Sequence, residues 1–254
     1  MELKWLSNNK AKEIKSLHIK KYREESGLFI AEGRKCVADL LGAFHLEFII
    51  SSERWFKENK EFFKWPEKVL LVKDKSELKR ISALTSPPEV IAVFRIPLPD
   101  ISEKKLNRDK TYLFLDDIQD PGNLGTIIRT CDWFGVYEIY ASEGTVDVFN
   151  PKVVQSTMGS LCRVKVNYMN LEDMISKNPG LRIYGTLLTG TPIKECNPKE
   201  KGVIIMGNEG KGISDTLKQL ITIPVTIPPV NKENHPDSLN VAIATSIFLS
   251  YFQQ

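Results

Sequence analysis

From residue 111 onward, short apolar runs alternate with helix-like segments, and this alternation limits the fold more than any other feature of the chain. "TYLFLDDI" (111–118), "EIYAS" (138–142), "RVKVNYM" (163–169), "RIYGTLL" (182–188) and "GVIIMG" (202–207) carry the β-branched and aromatic content of strands. Between them, "NLGTIIRTCDWFG" (123–135), "NPKVVQSTMGSLC" (150–162) and "LEDMISK" (171–177) read as helices. "SDTLKQL" (214–220) reads as a short helix, "ITIPVTIP" (221–228) as extended chain and "SLNVAIATSIFLSYF" (238–252) as a closing helix. Strands that are apolar throughout must be covered on both faces, which helices packed on either side of a parallel sheet achieve. The class is α/β. The closing helix is apolar almost all round, so its place is in the core or in a subunit interface.

The preceding residues have a different rhythm. Ile14, Leu17, His18 and Tyr22 stand at roughly helical spacing, and Gly27 can end that helix. "LEFIIS" (46–51), "KVLLVK" (68–73) and "EVIAVFRI" (89–96) read as strands, with "SELKRISALTS" between the last two as a short helix capped by Ser76. Residues 1–97 therefore form a small α/β domain. A polar, proline-bearing linker follows at 98–110, and 111–254 is the second domain. A chain of 254 residues can bury a core in each.

With 42% hydrophobic and 26% charged residues, and no apolar run near the ~18 residues of a membrane span, the expectation is a globular protein with no membrane partner. "MELKWLSNNKAKEIK" lacks the apolar core of a secretory signal, so the expected location is cytoplasmic. Cys36, Cys131, Cys162 and Cys196 are scattered, as are His18, His45 and His235; no metal-ligand spacing arises and no metal is expected. The net charge is +3, yet residues 1–35 alone hold nine Lys and Arg against five acids. Lys12, Lys20, Lys21, Arg23, Arg34 and Lys35 are either a solvated face or a surface for a polyanion such as RNA.

The glycines of "DDIQDPGNLGTIIRT" (116–130), at a strand-to-helix junction, raise the question of a dinucleotide loop. Gly122 and Gly125 stand three apart with no third glycine, so the G-x-G-x-x-G pattern fails. "GNEGKGIS" likewise lacks the spacing of a P-loop. Three ordered segments remain, each beside a strand end: "PGNLGTIIRT" (121–130), "IIMGNEGKGIS" (204–214) and "IPPVNKENHPDSLNVAIA" (227–244).

This trio resembles the SpoU (TrmH) family of RNA ribose 2′-O-methyltransferases, within the SPOUT superfamily. Asn123, Gly125 and Arg129 match its N-x-G-x-x-x-R pattern; Gly207, Asn208, Glu209, Gly210 and Gly212 match its glycine–Asn–Glu loop. Ile227, Pro228, Ser238, Leu239, Asn240 and Val241 match I-P…S-L-N-V. "KSLHIKKYREESGLFIAEGRKCVADLL" resembles the start of an RNA-gripping substrate domain related to ribosomal proteins. The sequence departs from the family in "PVNKENHPD" (229–237), which is longer than the usual loop, has no glycine and carries Lys232, Glu233, His235 and Asp237. That departure bears on cofactor-pocket geometry and substrate preference.

The resemblance implies a parallel-sheet SPOUT domain with a deep trefoil knot. It also implies S-adenosyl-L-methionine as cofactor, held by Thr186, Leu187, Leu188, Gly207, Ile227 and Leu239. Arg129 is implied to activate the ribose hydroxyl, as general base or as electrostatic stabiliser of the alkoxide; the alternative is a structural salt bridge to Asp116 or Asp117. Asn123 either shapes the site or simply caps a helix, and Glu209 either orients substrate or holds its loop. Ser238, as the cap of the last helix, and Asn240 complete the implied catalytic set. A homodimer is implied, with active sites built from both subunits, and RNA as substrate, large-subunit ribosomal RNA ahead of transfer RNA. The other readings are a transfer-RNA ribose methyltransferase and a non-catalytic RNA-binding module of the same fold.

Overall fold

Helix formation near the N-terminus stops at Leu17 instead of running on to Gly27, and the break is held by side chains. In the computed structural model, which describes residues 4–98, 105–231, 233, 234 and 236–253, β1 (Lys4–Trp5) leads into α1 (Asn8–Ser16) and, after the break, α2 (Lys20–Ser26). Ile19 is extended, the His18 ring meets the Ile81 carbonyl at 2.8 Å, and Arg23 Nη1 donates to the Leu17 carbonyl at 2.8 Å. The carbonyl freed by the break is thus satisfied by a guanidinium rather than by the next helical turn. Residues 99–104 of the expected linker, and Lys232 and His235 of the long loop, lie outside the described residues.

The first unit continues through β2 (Leu28–Glu32), α3 (Arg34–Leu40), β3 (Leu46–Ser52), α4 (Glu53–Glu58), β4 (Val69–Val72), α5 (Lys75–Ile81) and β5 (Val90–Arg95). Its sheet has the order β1-β4-β3-β5-β2, with β1, β4 and β3 parallel and β5 antiparallel to both neighbours. Ile14, Leu17, Ile30, Ile50, Val72, Leu78 and Ile91 form its core. The three strands expected from sequence are all present. The helix before β5 is capped not by Ser76 but by Asp74, whose carboxylate accepts from Ser76 N and Glu77 N. A carboxylate near the helix N-terminus also suits the macrodipole.

Further along the chain come β6 (Tyr112–Leu115), α6 (Pro121–Trp133) and β7 (Glu138–Ala141), and then a segment containing α7 (Pro151–Ser156). That segment, Asp147–Cys162, packs with the first unit, whereas Pro99–Val146 and Arg163–Gln254 make the second. Aromatic packing and a buried ion pair help to bind it. Phe149 sits 4.8 Å from Phe29 and 6.3 Å from Phe44. Arg23, 1% exposed, gives Nε and Nη2 to Asp147 Oδ2 at 2.9 and 2.6 Å. This corrects the reading of Arg23 as a phosphate contact: its charge is spent inside the protein, while Lys12, Lys20, Lys21, Arg34 and Lys35 are exposed. The helix expected to run to Cys162 stops at Ser156, because Met158 and Gly159 adopt positive φ of 49° and 90°; a 3-10 turn, Ser160–Cys162, follows. Gly159 tolerates nothing larger there, since a Cβ would lie 2.3 Å from Asp39 Oδ2.

The second unit adds β8 (Lys165–Tyr168), α8 (Leu171–Lys177), β9 (Ile183–Pro192), β10 (Val203–Met206), α9 (Asp215–Lys218), β11 (Ile223–Thr226) and α10 (Val241–Phe252). Its sheet is parallel throughout, in the order β11-β9-β10-β6-β7-β8. Tyr112, Phe114, Ile183, Val203 and Ile205 pack with Leu171, Met174 and Leu217. The alternate residues Leu113, Leu115 and Ile204 are equally buried, as two covered faces require. The closing helix α10 buries Val241, Thr245, Phe248, Leu249 and Phe252 but leaves Ile243 56% exposed. Its end is fastened by Tyr251, whose hydroxyl donates to the Cys196 carbonyl at 2.6 Å, and by Phe252 against the Tyr184 ring at 4.9 Å.

Candidate active site

The site grows from the carboxyl ends of β6, β9, β10 and β11, the end of a parallel sheet at which ligands bind. After β6 the chain must turn sharply, and Asp117 takes a left-handed φ of 56° to do so. Asp120 then caps α6, its Oδ1 accepting from Asn123 N at 2.7 Å, with Pro121 in the first turn where no N–H is needed. Asn123 is therefore not the cap. Its side chain is left to act across the site.

After β10 the loop 207–214 folds tightly on itself. Asn208 and Gly212 exchange backbone hydrogen bonds at 3.0 and 2.9 Å, and Asn208 Oδ1 accepts from Gly210 N and Lys211 N. Gly207 lets this happen: a Cβ there would stand 2.3 Å from Gly212 C and Ile213 N. The glycine serves close approach of the loop to itself. Gly207→Ala is expected to push the loop open and to cost about 1–3 kcal/mol in a thermal-denaturation comparison; an unchanged melting curve would contradict this packing. Asn208 Nδ2 also donates to the Asp117 carbonyl at 2.7 Å, and buried Asp116 accepts from Ser214 N at 2.7 Å, so the two acidic residues brace this loop against the first.

The bracing brings three sequence-distant residues into one hydrogen-bonded row. Asn123 Nδ2 donates to Glu209 Oε1 at 3.0 Å, and Asn240 Nδ2 donates to Asn123 Oδ1 at 3.0 Å. Asn240 Oδ1 in turn accepts from Ala242 N and Ile243 N at 2.9 and 3.3 Å, capping α10. The cap of the last helix is Asn240, a correction of the assignment to Ser238, which is exposed and makes no hydrogen bond among the described residues. Glu209 holds its loop to the start of α6, with Gln119 N and Asp120 N also 3.4 Å from its oxygens.

Arg129 stands apart from this row. It is exposed on α6 and has no ion pair among the described residues. Asp116 and Asp117, the alternative partners, are engaged by Ser214, Asn208 and Gln119. The guanidinium is available to an external anion.

The residues expected to hold a cofactor lie along neighbouring strand ends. Strand β9 pairs with β11 at Tyr184 and Gly185 and again at Thr191 and Pro192, so neither neighbouring strand pairs with Thr186–Gly190. Thr186 Oγ1 donates to the Ile205 carbonyl at 2.8 Å and Thr226 Oγ1 to the Leu188 carbonyl at 3.1 Å, which pins this bulge at its start and at its middle. Leu187 and Ile227 are half-buried, whereas Leu188 is 74% and Leu239 50% exposed. At two of the four cysteines the thiolate is disfavoured: burial pushes the Cys36 thiol up to about 12 and raises that of Cys131 further. Among the described residues no cluster of His, Cys, Asp or Glu could hold a metal ion.

The sequence reading missed Asp120 and the bracing roles of Asp117 and Asn208. An Asp-Pro pair opening a helix-like run was a signal for the first; nothing local signalled the others.

Residues 110–250 match the SpoU rRNA Methylase family, and residues 8–92 match the MRM3-like substrate binding domain. The 23S rRNA (guanosine(2553)-2′-O)-methyltransferase RlmP of Bacillus subtilis is 31% identical over 97% of this chain and 96% of its own. A putative RNA methyltransferase of the TrmH family from Porphyromonas gingivalis has a similar structure, with TM-score 0.83, 35% identity and coverage of 97% of this chain and 98% of its own. So does the AdoMet-bound rRNA methyltransferase from Sinorhizobium meliloti, with TM-score 0.84, 30% identity and coverage of 100% and 97%. With over half its length matched and relatives of this identity along nearly all of it, the chain belongs to the SpoU rRNA methylase family.

Proposed function

We propose that this protein transfers a methyl group from S-adenosylmethionine to a ribose 2′-hydroxyl of ribosomal RNA. The observation that carries the reading is the Asn123–Glu209–Asn240 row, built from three separate segments at the carboxyl edge of a parallel sheet. It is flanked by Arg129, which has no ion pair among the described residues. The RlmP relative, named for 2′-O-methylation of 23S rRNA, supports the ribose and the ribosomal substrate.

The residues present fit the cofactor. The bulge 186–190 offers main-chain groups outside the sheet's pairing, and Leu188, Leu239 and half-buried Ile227 offer apolar surface for a purine. When bound, S-adenosylmethionine supplies an activated methyl carbon, so the protein needs only to align the ribose oxygen and relieve it of its proton. Arg129 does not take that proton, because a guanidinium stays charged. It stabilises the developing alkoxide and orients an RNA phosphate, which accepts the proton or passes it to solvent. Asn123, Glu209 and Asn240 hold the two helix N-termini that frame the site, and Ser238, exposed beside them, is open to the substrate ribose.

Lys12, Lys20, Lys21, Arg34 and Lys35 of the first unit contact phosphates and position the RNA without reading its bases. The reading includes a homodimer, supported by Trp133 and Ile243, 85% and 56% exposed on the packed helices α6 and α10, with Arg129 completing a site shared by two subunits. Light scattering on active enzyme is expected to give a dimer; a fully active monomer would refute it. The reading also includes the knot that the family resemblance implies, and a cytoplasmic location. Among the described residues no helix is long and apolar enough to cross a membrane.

The test is transfer of labelled methyl from S-adenosylmethionine to purified ribosomal and transfer RNA. Label is expected in ribosomal RNA, in alkali-resistant dinucleotides that mark 2′-O-methylation. Label in transfer RNA alone would move the substrate, and absence of cofactor binding by calorimetry would leave an RNA-binding module.

A further inference from the structure

The row of amides at the site has a direction, and its two ends differ. An amide side chain can be turned either way, but Glu209 as a carboxylate can only accept. Asn123 must therefore present Nδ2 to it, at 3.0 Å, and Oδ1 to the other side. Asn240 must then donate Nδ2 to that oxygen, at 3.0 Å, which leaves its own Oδ1 for the first N–H groups of α10. At the α10 end the acceptor is also compulsory, because helix N-termini offer only donors. The polarity is fixed at both ends and transmitted through two freely reversible amides.

We propose that Glu209 is a positioning residue: its negative charge fixes one end of the Glu209–Asn123–Asn240 relay as the α10 N-terminus fixes the other, and so locks the N-terminus of α10 to that of α6, the helix that carries Arg129. Glu209 neither takes nor gives a proton in the reaction. Its carboxylate also draws on Gln119 N and Asp120 N just before α6, so both of its oxygens already face donors of the protein. This deepens the methyltransferase reading and rests on it for the catalytic consequence, though not for the geometry.

The relay can be reversed by moving the charge to its other end. Asn240→Asp keeps the α10 cap, because a carboxylate caps as well as an amide, but the new side chain can no longer donate to Asn123. If Asn123 turns to serve the carboxylate introduced at position 240, its oxygen faces Glu209. Adding Glu209→Gln removes that conflict. The amide introduced at position 209 donates to Asn123 Oδ1 and Asn123 Nδ2 donates to the carboxylate at position 240, so both hydrogen bonds of the row are restored in the opposite sense, while the 3.4 Å contact of Asp120 N with position 209 is given up.

The experiment is the double-mutant cycle of Glu209→Gln and Asn240→Asp, read by thermal denaturation and by kcat and KM for RNA. Asn240→Asp alone is expected to lower kcat by about tenfold or more with KM for RNA little changed, and the double variant to recover most of that loss and of the lost Tm. Losses that simply add in both readouts would overturn the directional relay. Recovery of Tm without recovery of kcat would overturn the positioning role, since the carboxylate would then act in the chemistry. Should wild type itself transfer no methyl group, the Tm arm still decides the relay, so failure of the functional reading and failure of the relay are distinguishable.

Discussion

Arg129→Ala is expected to keep the fold and the affinity for S-adenosylmethionine while methyl transfer falls by about a hundredfold or more, the scale of losing a charged donor at a developing oxyanion. The expectation follows from where the side chain stands. Arg129 is exposed on α6 and has no ion pair among the described residues, so its removal leaves no buried charge and breaks no core contact. The fold is held elsewhere on α6, by buried Leu124, Ile127, Ile128 and Cys131. Arg129→Lys keeps the charge but loses the planar fork, and should recover only part of the rate. Far-UV circular dichroism, calorimetry with S-adenosylmethionine and single-turnover methylation together check the result. A variant with full activity would remove Arg129 from the mechanism, and one that unfolds would show the side chain to be structural.

The second large effect concerns stability. Arg23→Ala removes the partner of Asp147 and the donor to the Leu17 carbonyl in one step. Breaking a buried ion pair from one side costs about 3–5 kcal/mol, so a Tm drop of roughly 10 °C or more is expected. The loss should fall on the first unit, where the α1–α2 break and the Asp147–Cys162 segment both depend on this guanidinium. Below that melting temperature the salt dependence of RNA affinity should be unchanged, because a buried arginine neutralises no phosphate. Lys12 and Arg34 are exposed, and their alanine variants should show the opposite pattern: normal Tm and a shallower salt slope. A stable Arg23→Ala protein that binds RNA weakly would reverse the assignment.

Arg23 also marks where sequence reading stops. A basic residue among Lys20, Lys21, Glu24 and Glu25 looks like surface, and only the contact with Asp147, 124 positions away, makes it core. What was legible came from local pattern. Uninterrupted apolar strands in the second half required two covered faces, and the parallel sheet has them. Strand order was not legible, because nothing in "ITIPVTIP" says that it lies beside β9 at the sheet edge. The bulge at Thr186–Gly190 was hidden inside an ordinary-looking strand for the same reason: a register jump exists only relative to a partner.

The site was legible as a set of segments and not as a geometry. Spacing and order brought Asn123, Glu209 and Asn240 forward, and their hydrogen bonds to one another required the folded chain. Capping showed the limit of local rules. Ser238 and Asn123 were plausible caps by residue type, yet Asn240 and Asp120 hold those positions, because the chain enters each helix two or three residues away from where composition suggested.

The measurement that bears most directly on the central claim is a map of ribose methylations in ribosomal RNA from a strain lacking this gene. One 2′-O-methylated nucleotide of the large-subunit RNA is expected to be lost, to return with the wild-type protein and to stay absent with Arg129→Ala. A map identical to that of the parent strain, or the loss of a base methylation in place of a ribose one, would contradict the account.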